Sequence, residues 1–236
     1  APELARLLFI ASKLPDRAIH LVPGALRAAE ELGAKSYDAL LTWSQFHASH
    51  LVGLALKKKH PKLPWLARFS DPWVDSPYNP LPWATRIPYS LMERAVLRNC
   101  DRILFSTQEA LELVTQKYEP SIREKSAVVS HSYDQTLYPA VEKRPDGPIV
   151  FRYIGSFYGR RTPEPLFRAL DYLAKSNPAL LKKIRIELVG AESTEFSRGR
   201  LERFAQGLPD GVVRLTSQET YLDSLKTMSK ADALLV

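Results

Sequence analysis

Apolar and polar positions along this chain fall into two alternating periods. Short apolar runs rich in β-branched and aromatic residues predict strands at Tyr37–Thr42, Leu63–Ser70, Arg102–Phe105, Ala127–Val129, Ile149–Ile154, Ile184–Val189, Val212–Leu215 and the closing Ala233–Val236. Between them, helical spacing predicts helices over Phe46–Lys59, Tyr89–Asn99, Ser106 to about Tyr118, Thr162–Lys175, Arg198–Gln206 and Gln218–Met228. Ser106 with Glu109 has the spacing of a capping box, and Lys57, Lys58 and Lys59 suit a helix C-terminus. Proline interrupts this order twice. The passage from Pro72 to Pro88 reads as a long irregular loop, and Pro139–Pro148 as a polar linker. The pattern predicts an α/β chain of two domains, 1–140 and 149–236, joined by a linker at 141–148. Ligands of open parallel sheets bind at the strands' carboxyl ends, so a cleft is expected there.

The stretch IVFRYIGSFYGRRTPEPLFRALDYL, Ile149–Leu173, is the richest in chemistry. A strand runs through Gly155, Ser156 and Gly159 into a helix, with Thr162 as cap, Pro163 at the first position, and Leu166, Ala169, Leu170 and Leu173 on one face. Free N–H groups at a helix start, beside Arg160 and Arg161, suit a diphosphate. An ordinary α/β connection with surface arginines has the same local appearance.

Length and composition narrow the classes without choosing among them. The 236 residues are 45% hydrophobic and 25% charged, ordinary globular values. The net charge of +7 is dispersed: 19 basic against 15 acidic residues up to Pro145, and 14 against 11 from Asp146 onward. That spread fits anionic ligands better than a nucleic-acid arm. One cysteine, Cys100, excludes an internal disulfide and a multi-cysteine metal site, and makes a reducing cytoplasm the default. No signal-peptide pattern and no apolar run of membrane-spanning length occurs. Both ends read as cut, the first at Ala1 without an initiator Met and the second inside an apparent buried strand.

Three further features are candidates. Asp71, in ARFSDPW, ends a strand and opens the Pro-rich loop, either pointing into the cleft or bonding the backbone of its own turn. His47 and His50 stand three apart on one helix face, but no third ligand accompanies them, so no metal site is expected. The run Lys57–His60 with Lys62 suits either a solvated helix end or peripheral contact with an anionic membrane surface at the inner face. Walker, Gly-x-Ser-x-Gly and Gly-x-Gly-x-x-Gly motifs are missing.

The segments WSQFHASHLVGLALKKKHPKLPWLARFSDPW, ERAVLRNCDRILFST, SAVVSHSYDQTLYP, YIGSFYGRRTPEPLFRAL and VVRLTSQETYLDSLKTMSKADALLV, in that order, resemble the family-4 retaining glycosyltransferases of the GT-B fold. The likeness runs from Tyr37 almost to the end. It implies two Rossmann-like domains, the first mainly for a hydroxyl acceptor and the second mainly for a nucleotide sugar, with transfer by retention and no metal ion. It places Asp71 near the reacting sugar, Gly155, Ser156, Arg160 and Arg161 against the donor diphosphate, Gly190 in the next turn, and Leu215 and Thr216 beside the nucleobase. Ser156 stands where many members have arginine, and Ser130–His131–Ser132 where an asparagine–glycine turn is common. The family's glycine-rich acceptor loop and two-glutamate motif are missing, as expected of a fragment, so these residues alone are expected to lack transferase activity. A lipid, polysaccharide or small-molecule acceptor is compatible with the resemblance. A sugar-nucleotide epimerase or hydrolase of the same architecture, or a non-catalytic nucleotide-sugar-binding module, is the alternative. No nucleic-acid partner is expected.

Overall fold

The computed structural model describes residues 14–77, 83–140 and 147–236, in two compact units that divide between Ser132 and Tyr133. The linker expected at 141–148 has residues 141–146 outside the described part.

In the first unit, four parallel strands lie in the order β1-β2-β3-β4: β1 Leu40–Trp43, β2 Trp65–Phe69, β3 Arg102–Phe105 and β4 Ser126–Val128. The connections carry α1 Val22–Glu31 ahead of β1, α2 Ala48–Lys59, α3 Trp83–Asn99, then α4 Gln108–Thr115 and α5 Pro120–Glu124. Alternate residues of β2, Trp65, Ala67 and Phe69, are fully buried and pack with Val96 and Leu97 of α3 and with Ile103 and Phe105 of β3. Such inward alternation is what parallel strands covered by helices require.

Two expectations are corrected here. The helix predicted from Tyr89 begins at Trp83 and carries Pro88 inside it, so the irregular loop is shorter than the prolines suggest. Pro88 forgoes one backbone bond, while Tyr89, Met92, Val96 and Leu97 pack on the core and hold the helix together. Residues 78–82 of that loop lie outside the described part. The cap of α4 is Thr107, whose Oγ1 accepts from the Ala110 amide at 3.2 Å, and Ser106 is buried one residue earlier. The three-residue reach of an N-cap fixes that choice.

Helix α2 crosses β2 at Gly53. A Cβ there would come within 2.4 Å of the buried Trp65 ring, whose indole is held by Thr42 Oγ1 at 2.9 Å. Gly53→Ala should therefore destabilise the first unit by about 1–3 kcal/mol through overpacking, read as a lowered midpoint in urea unfolding. An unchanged midpoint would mean that the helix shifts freely over Trp65.

The second unit holds a parallel sheet in the order β7-β6-β5-β8, from β5 Ile149–Ile154, β6 Ile184–Val189, β7 Val213–Thr216 and β8 Ala233–Leu234. Its helices are α6 Glu164–Ser176, α7 Pro178–Leu181, α8 Arg198–Ala205 and α9 Tyr221–Ser229. Phe167, Leu170, Leu181, Ile186, Leu188 and Leu201 form its buried centre. The chain steps outward from β5 through β6 to β7, then returns as β8 on the other side of β5. Strand order thus reverses at β5.

Candidate functional site

In the first unit, Asp71 follows β2 directly, partly exposed, and its carboxylate has no hydrogen-bond partner among the described residues. It does not cap its own turn. It lines a cavity of about 170 Å³ at the carboxyl ends of β1 and β2, with Asp16, Gln45, His47, Trp73 and Tyr89. The sequence alone does not reveal how this wall is assembled. Asp16 accepts the amides of Ala18 at 2.9 Å and Ala48 at 3.0 Å, tying the segment before α1 to the start of α2. His47 sits at the N-cap of α2 and stacks on Trp73. Burial holds the His47 imidazole down to about 4, against the pull of Asp16. His50 is fully buried, pushed down to about 3 by burial and by His47, and its Nδ1 lies 2.8 Å from Thr42 Oγ1. The histidines face aromatic rings, and no cluster of three His, Cys, Asp or Glu residues suited to a metal occurs among the described residues.

The loop bearing Asp71 is anchored from beneath by a carboxylate that sequence reasoning passed over. Glu93 of α3, fully buried, accepts the Val74 amide at 3.1 Å, Lys117 Nζ at 2.9 Å and the Tyr118 hydroxyl at 2.7 Å. Lys117 also bonds Asp75, which takes Arg86 Nη2 at 2.5 Å. Burial works to raise the Asp75 carboxyl, but the bonds and charges of Lys117 and Arg86 outweigh it and hold it below its ordinary value. Burial and the neighbouring Glu93 push the Tyr118 phenol up. The available signal was spacing. Tyr89, Glu93, Val96, Leu97 and Cys100 form one helical stripe, and a charge on an apolar stripe marks a buried pair.

In the second unit, the β5–α6 turn carries the arginines. Gly155 has φ +136°, which favours glycine, and its amide bonds the Val189 carbonyl at 3.0 Å. Ser156 Oγ donates to the Gly190 carbonyl at 3.2 Å, and Tyr153 donates its hydroxyl proton to the Ser156 carbonyl at 3.0 Å. The Gly159 amide is taken by Glu195 Oε2 at 2.8 Å. Arg160 and Arg161 are exposed, and neither is in an ion pair with a described residue; the Arg161 guanidinium lies over the Tyr158 ring at 5.3 Å. Thr162 Oγ1 accepts the Glu164 amide at 3.3 Å at the start of α6.

Gly190, at φ +64°, ends β6. Its amide bonds the Thr216 carbonyl at 3.0 Å, and a Cβ would come within 3.2 Å of the Gln218 Cα. Leu215 gives its carbonyl to Arg198 at 3.3 Å, while Thr216 has its hydroxyl buried without a partner among the described residues. Gly155, Ser156, Gly190 and Thr216 therefore form one bonded ledge across the carboxyl ends of β5, β6 and β7, with the two arginines at its β5 end. Asp71 stands apart from this ledge in sequence and belongs to the first unit.

Other candidates are largely accounted for. Lys57 bonds Asp101 at 2.7 Å and the Leu63 carbonyl at 3.0 Å, and Lys59 and His60 bond Glu30, leaving Lys58 and Lys62 exposed. Burial pushes the Cys100 thiol up to about 11, so it is no nucleophile at neutral pH. No helix of the described residues is long and apolar enough to cross a membrane.

Two parallel-stranded α/β units of this kind constitute the GT-B type of fold, and the structural neighbours include GT-B glycosyltransferases. Sucrose-phosphate synthase from Thermosynechococcus elongatus superposes with a TM-score of 0.67 at 20% identity, over 92% of this chain and 54% of that one. The α,α-trehalose 6-phosphate synthase from Burkholderia multivorans gives 0.65 at 10%, over 89% and 52%. UDP-GlcNAc 2-epimerase from Neisseria meningitidis, bound to UDP-GlcNAc, gives 0.51 at 12%, over 89% and 56%. The chain thus spans about half the length of each. No protein-family model and no curated protein matches the sequence.

Proposed function

We propose that this chain is part of a retaining, family-4 type glycosyltransferase, moving a sugar from a nucleotide-diphosphate donor to an acceptor hydroxyl in the cytoplasm. The observation that carries the reading is the β5–α6 turn. It lies where strand order reverses, the position at which open α/β sheets bind ligands, and it presents two arginines without acidic partners among the described residues. Arg161, assisted by Arg160, would hold the donor diphosphate and stabilise the charge that grows on it as the sugar departs. Gly155 and Ser156 would shape the approach of that group, and Gly190, Leu215 and Thr216 would pass the nucleobase. With arginines supplying the charge, the reading needs no metal ion. A single buried cysteine agrees with a reducing compartment.

Asp71, without a hydrogen-bond partner among the described residues, would orient the acceptor hydroxyl whose oxygen replaces the diphosphate oxygen on the anomeric carbon. In the full-length protein, Asp71→Asn should then lower kcat more than it raises the donor KM. If instead the variant loses thermal stability while its folded fraction turns over normally, Asp71 is a structural residue.

The likeness to a UDP-GlcNAc 2-epimerase favours a second reading, chemistry on the sugar nucleotide without an acceptor. Nuclear magnetic resonance of the products that the full-length protein makes from UDP- and GDP-sugars separates the two. A glycoside with the donor's anomeric configuration, formed only with acceptor, is expected. An inverted product contradicts retention, and an epimerised or hydrolysed sugar formed without acceptor contradicts transfer.

A further inference from the structure

Strand β7 is the outer strand of the second sheet, with β6 on one side and no described strand on the other. Its ladder uses alternate residues: the Val212 and Thr216 carbonyls accept from the Ile186 amide at 2.7 Å and the Gly190 amide at 3.0 Å, while Ile186 and Leu188 stand in register with Val213 and Leu215. In a parallel ladder the residue in register turns its own N–H and C=O away from that neighbour. The backbone groups of Val213 and Leu215 therefore face outward. Arg198 takes one of them, the Leu215 carbonyl, at 3.3 Å. The N–H and C=O of Val213 and the N–H of Leu215 have no partner among the described residues.

A groove of about 590 Å³ runs beside this edge, walled by α8. Gly199 leaves room in the wall, since a Cβ there would meet nothing within 4 Å. Arg203 on α8 and Arg214 on β7 border the groove, exposed and without an ion pair among the described residues. Two carboxylates beside them are already engaged: Glu202 by Arg198 at 3.2 Å, and Glu187, in register with Arg214, by Arg152 at 2.6 Å.

The edge selects its partner by chemistry. Pairing two copies of it would set the arginines of one against those of the other, so self-association is opposed. A nucleic acid offers phosphate acceptors to the arginines but no regular row of donors for an outward carbonyl. An extended peptide supplies alternating N–H and C=O groups, and acidic side chains supply the missing charge. No five consecutive residues of the sequence contain three acidic ones, so these 236 residues do not themselves offer such a segment.

We propose that β7 docks an extended, acidic segment of a partner protein, added to the sheet as a further strand, with Arg203 and Arg214 holding its carboxylates. The surface lies along the outer edge of the sheet, away from the arginines of the β5–α6 turn, and the proposal does not rest on the transferase reading.

Fluorescence anisotropy of the full-length protein with a labelled peptide of repeated valine-glutamate-glutamate tests the proposal. The peptide should bind, and Arg203→Glu combined with Arg214→Glu should weaken it by about tenfold or more while leaving UDP and GDP binding unchanged. A peptide of the same charge with an N-methylated backbone should also bind about tenfold more weakly, because it lacks the N–H donors. Hydrogen exchange over residues 212–216 should slow when the unmodified peptide binds. Absence of binding at millimolar peptide, equal affinity for the N-methylated peptide or for inorganic tripolyphosphate, or unchanged affinity in the double variant overturns the proposal. Nucleotide binding lost together with the peptide would assign the arginines to the donor site and overturns it as well. Slow exchange over residues 212–216 in the full-length protein without peptide would show that its own chain covers the edge, which also overturns a partner.

Discussion

Replacing Glu93 by alanine should cost the first unit about 3–5 kcal/mol, the largest effect expected of any single side chain here. The carboxylate is wholly buried and receives the Val74 amide, the Lys117 ammonium and the Tyr118 hydroxyl at once. Truncation leaves all three short of an acceptor, and the loss of a buried ion pair's partner is far more harmful than its net contribution suggests. Lys117 keeps Asp75, so its charge is not wholly stranded. The Val74 amide is buried with no comparable substitute, so the loop from Asp71 to Asp75 should loosen first. Urea unfolding followed by tryptophan fluorescence reads both outcomes: a lower global midpoint, and a Trp73 signal that changes before it. A variant as stable as the parent would show that water or another side chain replaces the carboxylate.

The second large effect is expected at the other unit. Arg161→Ala should weaken nucleoside-diphosphate binding by about 1.5–3 kcal/mol, roughly 10- to 100-fold, as for loss of a charge-assisted contact. Because Arg161 is exposed and its guanidinium rests on the Tyr158 ring without an ion pair among the described residues, the fold should hardly notice the change. Loss of affinity without loss of stability is the signature of a binding residue. Calorimetry showing equal affinity in parent and variant would return both arginines to ordinary surface positions.

Arg102–Phe105, Ile149–Ile154 and Ile184–Val189 are strands with the bounds their apolar runs predict, because buried parallel strands have few alternatives once bounded by turns. Pro88 misled, since core packing by its helix neighbours outweighs one lost backbone bond. Helix α1, Val22–Glu31, was not anticipated, being ten residues long with Pro23 and Gly24 in its first turn. The β5–α6 turn was legible because glycine, arginine and a capping hydroxyl occur together in sequence. The Asp71 cavity was not, since Asp16, His47, Trp73 and Tyr89 meet only after three elements have folded, and periodicity does not report such convergence. Glu93 lay between these cases: its place on an apolar stripe was visible, its partners were not.

The central claim, that the protein handles a nucleotide-diphosphate sugar, is tested most directly by the melting temperature of the parent and of Arg161→Ala titrated with UDP, GDP and ADP. A nucleotide at a hundred times its Kd stabilises the protein by about 2.7 kcal/mol, which is readily measured. One of the three should raise the parent's melting temperature at concentrations that leave Arg161→Ala unmoved. No shift with any of them, or the same shift in both proteins, would contradict the account.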